Sequence, residues 1–158
     1  LLIDAFADMP PDASLVVAGD ESVFPDYCAD LRRRSRHPGI RFLGPLGQAD
    51  VWRTLARSDV LVVPSVWYET FSLIAQEALA LGTPVVAADH GALTERVTHE
   101  RNGLRVAPGD VPALRSALRR LATEPDLLDR LRAAGTPFRP IGQAAAEVEA
   151  LYREVIAR

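Results

Sequence analysis

A strand signal, a loop and a helix signal follow one another between residues 60 and 86, and no other feature constrains the fold as strongly. Residues 60–63 are four apolar, mostly β-branched residues, closed by a proline and a serine. Such a run is typical of a strand buried on both faces of a parallel sheet. From about Thr70, apolar residues recur at helical spacing until the Gly-Thr-Pro at 82–84. They are Phe71, Ile74, Ala75, Ala78 and Leu81. The segment predicts the strand, loop and helix of an open α/β sheet.

Two acidic residues, Glu69 and Glu77, bracket the first two turns of this predicted helix. In open α/β sheets, ligands bind beyond the carboxyl ends of the strands, where the next helix presents unpaired N–H groups. Here these would be the amides of Phe71, Ser72 and Leu73, which favour a phosphate. Glu77 lies about two turns inside the helix among apolar neighbours. A carboxylate there needs hydrogen-bond partners, and the paired hydroxyls of a ribose are suitable ones.

Each acid also has an interpretation that needs no ligand. Glu77 could face water or bond to neighbouring backbone, and Glu69 could cap the helix. Taken alone, either acid favours this alternative, because most charged residues are simply solvated. The two acids together favour a ligand site.

The segment PSVWYETFSLIAQEALALGTPVVAAD, with its two glutamates eight positions apart, resembles the nucleotide-sugar-binding domain of retaining glycosyltransferases with the GT-B fold, the group 1 family. The flanking segments IRFLGPL, ARSDVLVVPS, DHGALTE and RNGLRVAPGDVPALRSAL are similar to the family as well. The resemblance implies a Rossmann-like three-layer α/β/α domain with a parallel sheet, spanning residues 1–158. It also implies that the N-terminal acceptor domain and the first strand of this domain lie upstream of Leu1. We therefore expect a gap in the sheet, or a strand supplied by another chain.

The resemblance further implies transfer of a sugar from a nucleoside-diphosphate sugar to an acceptor, with retention at the anomeric carbon. Glu69 would act at the donor sugar as the catalytic residue, and Glu77 would hold the ribose. No cofactor or metal is implied, and no cluster in the sequence has metal-ligand spacing. The acceptor, a sugar, a lipid or a small molecule, would be bound by the N-terminal domain. The isolated chain is not expected to turn over, and the expected location is the cytoplasm.

Several further positions are implied to contact the donor. The backbone of Leu43, Gly44 and Leu46 would meet the nucleobase. Gly19 would permit close approach of the nucleotide, or else is an ordinary turn glycine. Gly91 would line the donor sugar.

The chain departs from the family pattern at three positions, where other residues replace glycines. Ala92 follows Gly91 in place of a second glycine, which puts close backbone approach to the sugar in doubt. Beside Glu69, Thr70 and Ser72 stand where glycines are expected. Thr70 is interpreted as the N-cap of the helix, and the Ser72 hydroxyl as a donor to a phosphate.

Other functions remain as alternatives. The substituted glycines are compatible with a nucleotide-binding module without catalysis, and a nucleotide-sugar epimerase could use the same architecture. A dinucleotide dehydrogenase is disfavoured, because no G-x-G-x-x-G follows a predicted strand.

The net charge of −3 gives no reason to expect nucleic acid. The most basic stretch, LRRRSRHPGIR, is interpreted as a solvated face, with a peripheral membrane or acidic partner as the alternative. No apolar run approaches the roughly 20 residues of a membrane span.

Two packing predictions concern helices outside the central unit. Residues 48–57 form a predicted helix in which Trp52 is assigned to the core with Val51, Leu55 and Ala56. After a break at 135–140, residues 142–158 form a predicted closing helix. Its packing residues are Ala146, Val148, Leu151, Val155 and Ile156.

Overall fold

The computed structural model describes residues 1–135 and 140–157. The strands within these ranges are β1 (Leu15–Ala18), β2 (Ile40–Gly44), β3 (Leu61–Val63), β4 (Val85–Ala88) and β5 (Gly103–Val106). The helices of these residues are α1 (Leu2–Phe6), α2 (Pro25–Arg34), α3 (Gln48–Arg57), α4 (Leu73–Ala80), α5 (Leu93–Arg96), α6 (Val111–Thr123), α7 (Leu127–Ala133) and α8 (Ile141–Ile156). Most of the break predicted at 135–140 lies outside the described residues.

The strands form two parallel sheets. β1 pairs with β2 in one sheet, and β4 lies between β3 and β5 in the other. Among the described strands, β1 and β3 are therefore each paired along one edge and are not paired with each other. The sheet is thus interrupted within the described residues, as predicted.

β4 carries the core on both of its faces, because successive side chains of a strand point to opposite sides. Val86 belongs to a cluster with buried residues of α1, α6 and α7. Val85 and Ala87 belong to a second cluster with buried residues of α3, α4 and α5. Helices thus cover both faces of the three-stranded sheet, and the predicted Rossmann-like three-layer α/β/α fold is confirmed.

β3 is less buried than its sequence predicts. Val63 is buried, whereas Leu61 and Val62 are half-buried. Leu61 packs against one cluster and Val62 against the other, so the strand does contact apolar groups on both faces. Its position at the edge of its sheet explains the remaining exposure.

The core assignment of Trp52 is wrong, since this side chain is 48% exposed. The inward side of α3 is formed by Leu55, which is buried, and Val51, which packs against the same cluster. These two residues are four apart and share one helix face. Trp52 follows Val51 directly and is rotated by about 100° to the wet side, as the 3.6-residue helical turn requires.

The packing predicted for the closing helix is also wrong. α8 exists, but none of its residues is buried. Val148, Leu151, Val155 and Ile156 are all exposed. A period of apolar residues shows that a helix has an apolar side, and it does not show that this side meets the core of the same domain.

The basic stretch around α2 is largely neutralised by acids. Arg32 pairs with Glu21 at 2.6 Å and also lies over the ring of Phe42. Arg33 pairs with Asp30. These pairs support the solvated-face interpretation.

The ion pair of Asp4 and Arg34 joins α1 to α2. Arg34 Nη2 lies 2.7 and 2.5 Å from the two carboxylate oxygens of Asp4. The hydrogen bond from this guanidinium holds the pKa of the Asp4 carboxyl below its usual value. Both side chains are more than a third exposed, so solvent screening limits what the pair contributes to stability.

We expect Asp4→Asn to lower the free energy of unfolding by about 0.2–1 kcal/mol at neutral pH. Because the pKa of Asp4 is depressed in the folded state, its contribution is present above the unfolded-state pKa of about 3.9. It is lost as the pH falls through the folded-state value. Denaturant unfolding at neutral pH and at about pH 3 should show the difference between wild type and variant shrinking at the lower pH.

The control is Glu149→Gln, because Glu149 pairs with Arg153 inside α8 and joins no two elements. This variant should match wild type at both pH values. If the difference in unfolding free energy between wild type and Asp4→Asn stays constant or grows at the lower pH, the stabilising role of the Asp4–Arg34 ion pair is contradicted.

Candidate functional site

The parallel strands place several of the predicted site residues at strand ends. Gly19 directly follows β1, and Gly44 ends β2. The amide of Gly19 donates to the carbonyl of Gly44 at 2.9 Å, so these two residues are brought together. Leu43 is exposed and Leu46 is half-buried in the same region. The predicted contact of their main chain with a nucleobase stays a prediction.

The loop after β4 is held against the segment that carries Glu69. The amide of Ala92 donates to the carbonyl oxygen of Glu69 at 3.0 Å. Gly91 has a φ of +56°, and a Cβ on it would lie 2.9 Å from that same oxygen. Glu69 and Gly91, both predicted site residues, are therefore in direct contact.

Ala92 does not disturb this arrangement. It forms the N-cap of α5 with φ −62° and ψ −16°, which is ordinary backbone for any residue. The replacement of a glycine by Ala92 thus causes no backbone strain, and the approach of this backbone to the sugar stays a prediction.

The carboxylate of Glu69 is fixed by Ser65. Ser65 Oγ donates to Glu69 Oε1 at 2.6 Å, and Ser65 itself is buried. His90 Nε2 lies 2.9 Å from the Ser65 carbonyl, which can only accept, so the histidine donates. The His90 ring also packs against Tyr68, with centroids 5.0 Å apart. These two contacts hold the His90 side chain within the loop.

The helix after Glu69 begins later than predicted. α4 starts at Leu73, and its N-cap is Ser72, with no hydrogen bond from the side chain. The assignment of Thr70 as N-cap is therefore wrong. The amides left unpaired in the first turn are those of Leu73, Ile74 and Ala75. Of the three amides predicted to face a phosphate, that of Leu73 belongs to this turn and that of Ser72 to the N-cap, whose N–H also has no partner within the helix.

Ser72 explains the late start. It adopts left-handed backbone, φ 57° and ψ 73°, and is buried. A non-glycine residue in this region is strained, by about 1–3 kcal/mol, and persists only where the surroundings hold it. A glycine would suit this position, in agreement with the family pattern.

A cation lies beside the start of α4. The guanidinium carbon of Arg96 is 4.0 Å from the centroid of the Phe71 ring. Phe71 precedes the N-cap of α4, and its side chain is partly exposed. No sequence pattern indicated Arg96, because the contact joins residues from two different loop-helix units.

Glu77 is half-buried on α4, and its partner is a side chain of α3. Gln48 Nε2 donates to Glu77 Oε1 at 2.9 Å. The predicted need of this carboxylate for a hydrogen-bond partner is thus met in part by the protein. Gln48 was not predicted, since nothing in a sequence pairs residues 29 positions apart on two helices.

A small, shallow cleft lies at the carboxyl ends of the three-stranded sheet. It is lined by Leu1, Pro64, Ala88, Val106, Ala107, Gly109, Asp110 and Leu114. Neither Glu69 nor Glu77 lines this cleft. The two acids are half-buried, Glu69 in the segment after β3 and Glu77 on α4.

Residues 1–135 and 140–157 contain no group of three or more His, Cys, Asp or Glu side chains that could hold a metal ion. Within the same ranges, no helix is both long and apolar enough to cross a membrane.

Comparison with protein families gives a match over most of the chain. Residues 1–124 match the family model described as Glycosyl transferases group 1. A glycogen synthase of Mycobacterium tuberculosis is 37% identical over 134 residues, covering 80% of this chain and 32% of that protein. The chain thus spans about a third of the length of this relative.

Solved structures agree with this match. HepE from Anabaena, in complex with UDP-glucose, has a TM-score of 0.81 at 27% identity, covering 96% of this chain and 44% of that one. Sucrose-phosphate synthase from Thermosynechococcus elongatus has a TM-score of 0.84 at 28% identity, covering 99% of this chain and 41% of that one. These are GT-B proteins, so the predicted GT-B relationship of the fold is confirmed.

The contact between Gly91 and Glu69 can be tested by a matched pair of substitutions. Gly91 and Gly109 both have positive φ, but only at Gly91 would an added Cβ have other atoms within 4 Å. Gly109→Ala should cost about 1–2 kcal/mol of stability, for left-handed backbone alone. Gly91→Ala should cost about 3 kcal/mol, because the added methyl also displaces the Glu69 main chain. Denaturant unfolding measures both, and equal losses would show that the two loops are not in close contact.

Proposed function

The chain belongs to the Glycosyl transferases group 1 family, and from this premise we propose that it binds a nucleoside-diphosphate sugar. We propose further that it is the donor-binding domain of a glycosyltransferase that retains the anomeric configuration. The observation that carries the proposal is the arrangement around α4. The tip of this helix has unpaired amides, and a carboxylate with spare acceptor capacity lies on each side of it in sequence, at Glu69 and Glu77.

The start of α4 is suited to a diphosphate. The amides of Leu73, Ile74 and Ala75 carry partial positive charge and have no partner within the helix. Arg96 adds a full positive charge next to Phe71. Since negative charge develops on the departing diphosphate in the transition state, donors placed there in advance lower the barrier.

The two acids would hold the sugars at either end of the diphosphate. Glu69 is fixed through one oxygen by Ser65 and through its main chain by Ala92. It would accept a hydrogen bond from a hydroxyl of the donor sugar and so orient that sugar for attack. Glu77 would accept the ribose hydroxyls. Gly91, in contact with Glu69, would lie against the donor sugar, and the main chain at Leu43, Gly44 and Leu46 against the base.

Transfer needs an acceptor as well, and we propose that this sugar, lipid or small molecule is bound by a part of the protein outside these residues. The chain spans 32% of its glycogen synthase relative and 44% of HepE, so most of each of those proteins has no counterpart here. Chemistry at a cleft between two domains requires both. The proposed mechanism uses no metal ion.

The first expected result is nucleotide binding. Because HepE is a complex with UDP-glucose, UDP is the first ligand to test, with GDP and ADP beside it. A ligand at about 100 times its Kd adds about 2.7 kcal/mol to the stability of the state that binds it. The midpoint of thermal unfolding should therefore rise by about 5 °C or more with the correct diphosphate. Glu77→Gln should abolish most of this shift, and Glu149→Gln on α8 should leave it intact. A chain that responds to none of the three diphosphates would overturn the proposal.

The second expected result separates transfer from binding. In the protein at its full encoded length, Glu69→Ala should reduce sugar transfer at least about 100-fold, because the donor sugar is no longer oriented. Binding of the nucleoside diphosphate, which has no transferred sugar, should stay within a few-fold of wild type.

The outcomes distinguish the alternatives. A wild-type protein that binds the diphosphate but transfers nothing to any acceptor would favour the non-catalytic nucleotide-binding module. Inversion of a carbon centre in the sugar of the nucleoside-diphosphate sugar, in the absence of an acceptor, would favour the epimerase.

A further inference from the structure

We infer that Gln48 is a positioning residue for the donor nucleotide, because its side-chain amide holds the Glu77 carboxylate in the orientation that receives the ribose hydroxyls. The inference rests on the proposed function of Glu77. It adds a residue from a different helix, with a distinct chemical role. Gln48 Nε2 lies 2.9 Å from Glu77 Oε1, and this contact is the starting observation.

The geometry between the two residues is set by the packing of α3 on α4. Gln48 is the first residue of α3, directly after its N-cap Gly47. Leu55, further along α3, is buried in the same cluster as Ala75 and Leu79 of α4. Thr83 Oγ1, from the turn after α4, also donates to the Leu55 carbonyl at 2.9 Å. Two rigid helices therefore carry the amide and the carboxylate, and neither residue depends on a mobile loop.

The neutral amide of a glutamine is suited to this role. It occupies one oxygen of the carboxylate and leaves the negative charge in place, so the other oxygen stays a strong acceptor. A lysine or arginine would instead pair with the charge and compete with a ligand hydroxyl. Within the described part of the chain, Glu77 makes no ion pair. The carboxylate is thus oriented without being neutralised.

The size of the effect follows from preorganisation. A free glutamate side chain must be ordered when it binds a ligand, and the cost corresponds to about a 3- to 10-fold change in affinity. Gln48 removes part of this cost before the ligand arrives. Its loss should weaken binding by that factor and leave the chemical step unchanged, so KM for the donor should rise while kcat does not.

The experiment compares two ligands on the protein at its full encoded length. The first is whichever of UDP, GDP and ADP binds most tightly, and the second is its 2′,3′-dideoxy analogue, which lacks both ribose hydroxyls. Calorimetry measures Kd for wild type, Gln48→Ala, Glu77→Gln and the double variant. Gln48→Ala should weaken the diphosphate about 3- to 10-fold and leave the dideoxy analogue unaffected. In the Glu77→Gln background, Gln48→Ala should have no further effect.

Two more variants guard against trivial explanations. Gln143→Ala removes the same kind of hydrogen bond, since Gln143 Nε2 donates to Glu147 Oε1 at 3.1 Å on α8. This variant should leave the Kd of both ligands unchanged. Gln48→Glu keeps the size of the side chain but replaces the donor by a second carboxylate. It should weaken the diphosphate at least as much as Gln48→Ala does.

The failures of the two proposals look different. If Glu77→Gln weakens the diphosphate but Gln48→Ala or Gln48→Glu does not, the role of Gln48 is overturned and the donor site stands. The same holds if Gln48→Ala weakens the dideoxy analogue as much as the diphosphate. If Glu77→Gln has no effect on a diphosphate that binds, the ribose role of Glu77 is wrong, and the role of Gln48 falls with it.

Discussion

Burial of β4 on both faces is the constraint on which the rest of the domain depends. Its four residues are at most 1% exposed, and among the described strands it alone is paired along both edges. Because β3 pairs with one edge of β4, the segment that follows β3 begins at a fixed position. This segment contains Glu69 and leads into α4. The loop after β4 leaves the neighbouring strand of the same sheet and therefore contacts that segment. In this contact the amide of Ala92 donates to the carbonyl oxygen of Glu69.

Near this contact, tertiary packing determines the backbone conformation more than the intrinsic preference of the residues does. Ser72 is held in left-handed conformation although a glycine would adopt it at lower cost, and Gly91 is left-handed with no room for a side chain. Both residues flank Glu69, one after it in sequence and one across the contact. The strain at Ser72 is maintained only by a packed environment, and this residue is itself buried.

The sequence was informative where a single element determines its own environment. Apolar runs such as that of β4, and the spacing of two glutamates around a strand-loop-helix unit, identified the fold and the candidate site. It failed where the result depends on how elements meet. The start of α4 is set by the left-handed Ser72, not by the hydroxyl of Thr70, and the outward side of α3 places Trp52 in water. Gln48 and Arg96 are partners from distant helices, which no spacing rule indicates.

The separation of the strands into two sheets has a consequence for cooperativity. Backbone hydrogen bonds run from β3 to β5 and, separately, between β1 and β2, so no ladder passes from one set to the other among the described residues. Side chains connect the two sheets through the cluster that Leu15 of β1 shares with Val86 of β4. We therefore expect the amides of the β1–β2 pair, which carries Gly19 and Gly44, to differ in hydrogen-exchange protection from those of β4. A nucleotide that touches both sets would couple their fluctuations where the backbone does not.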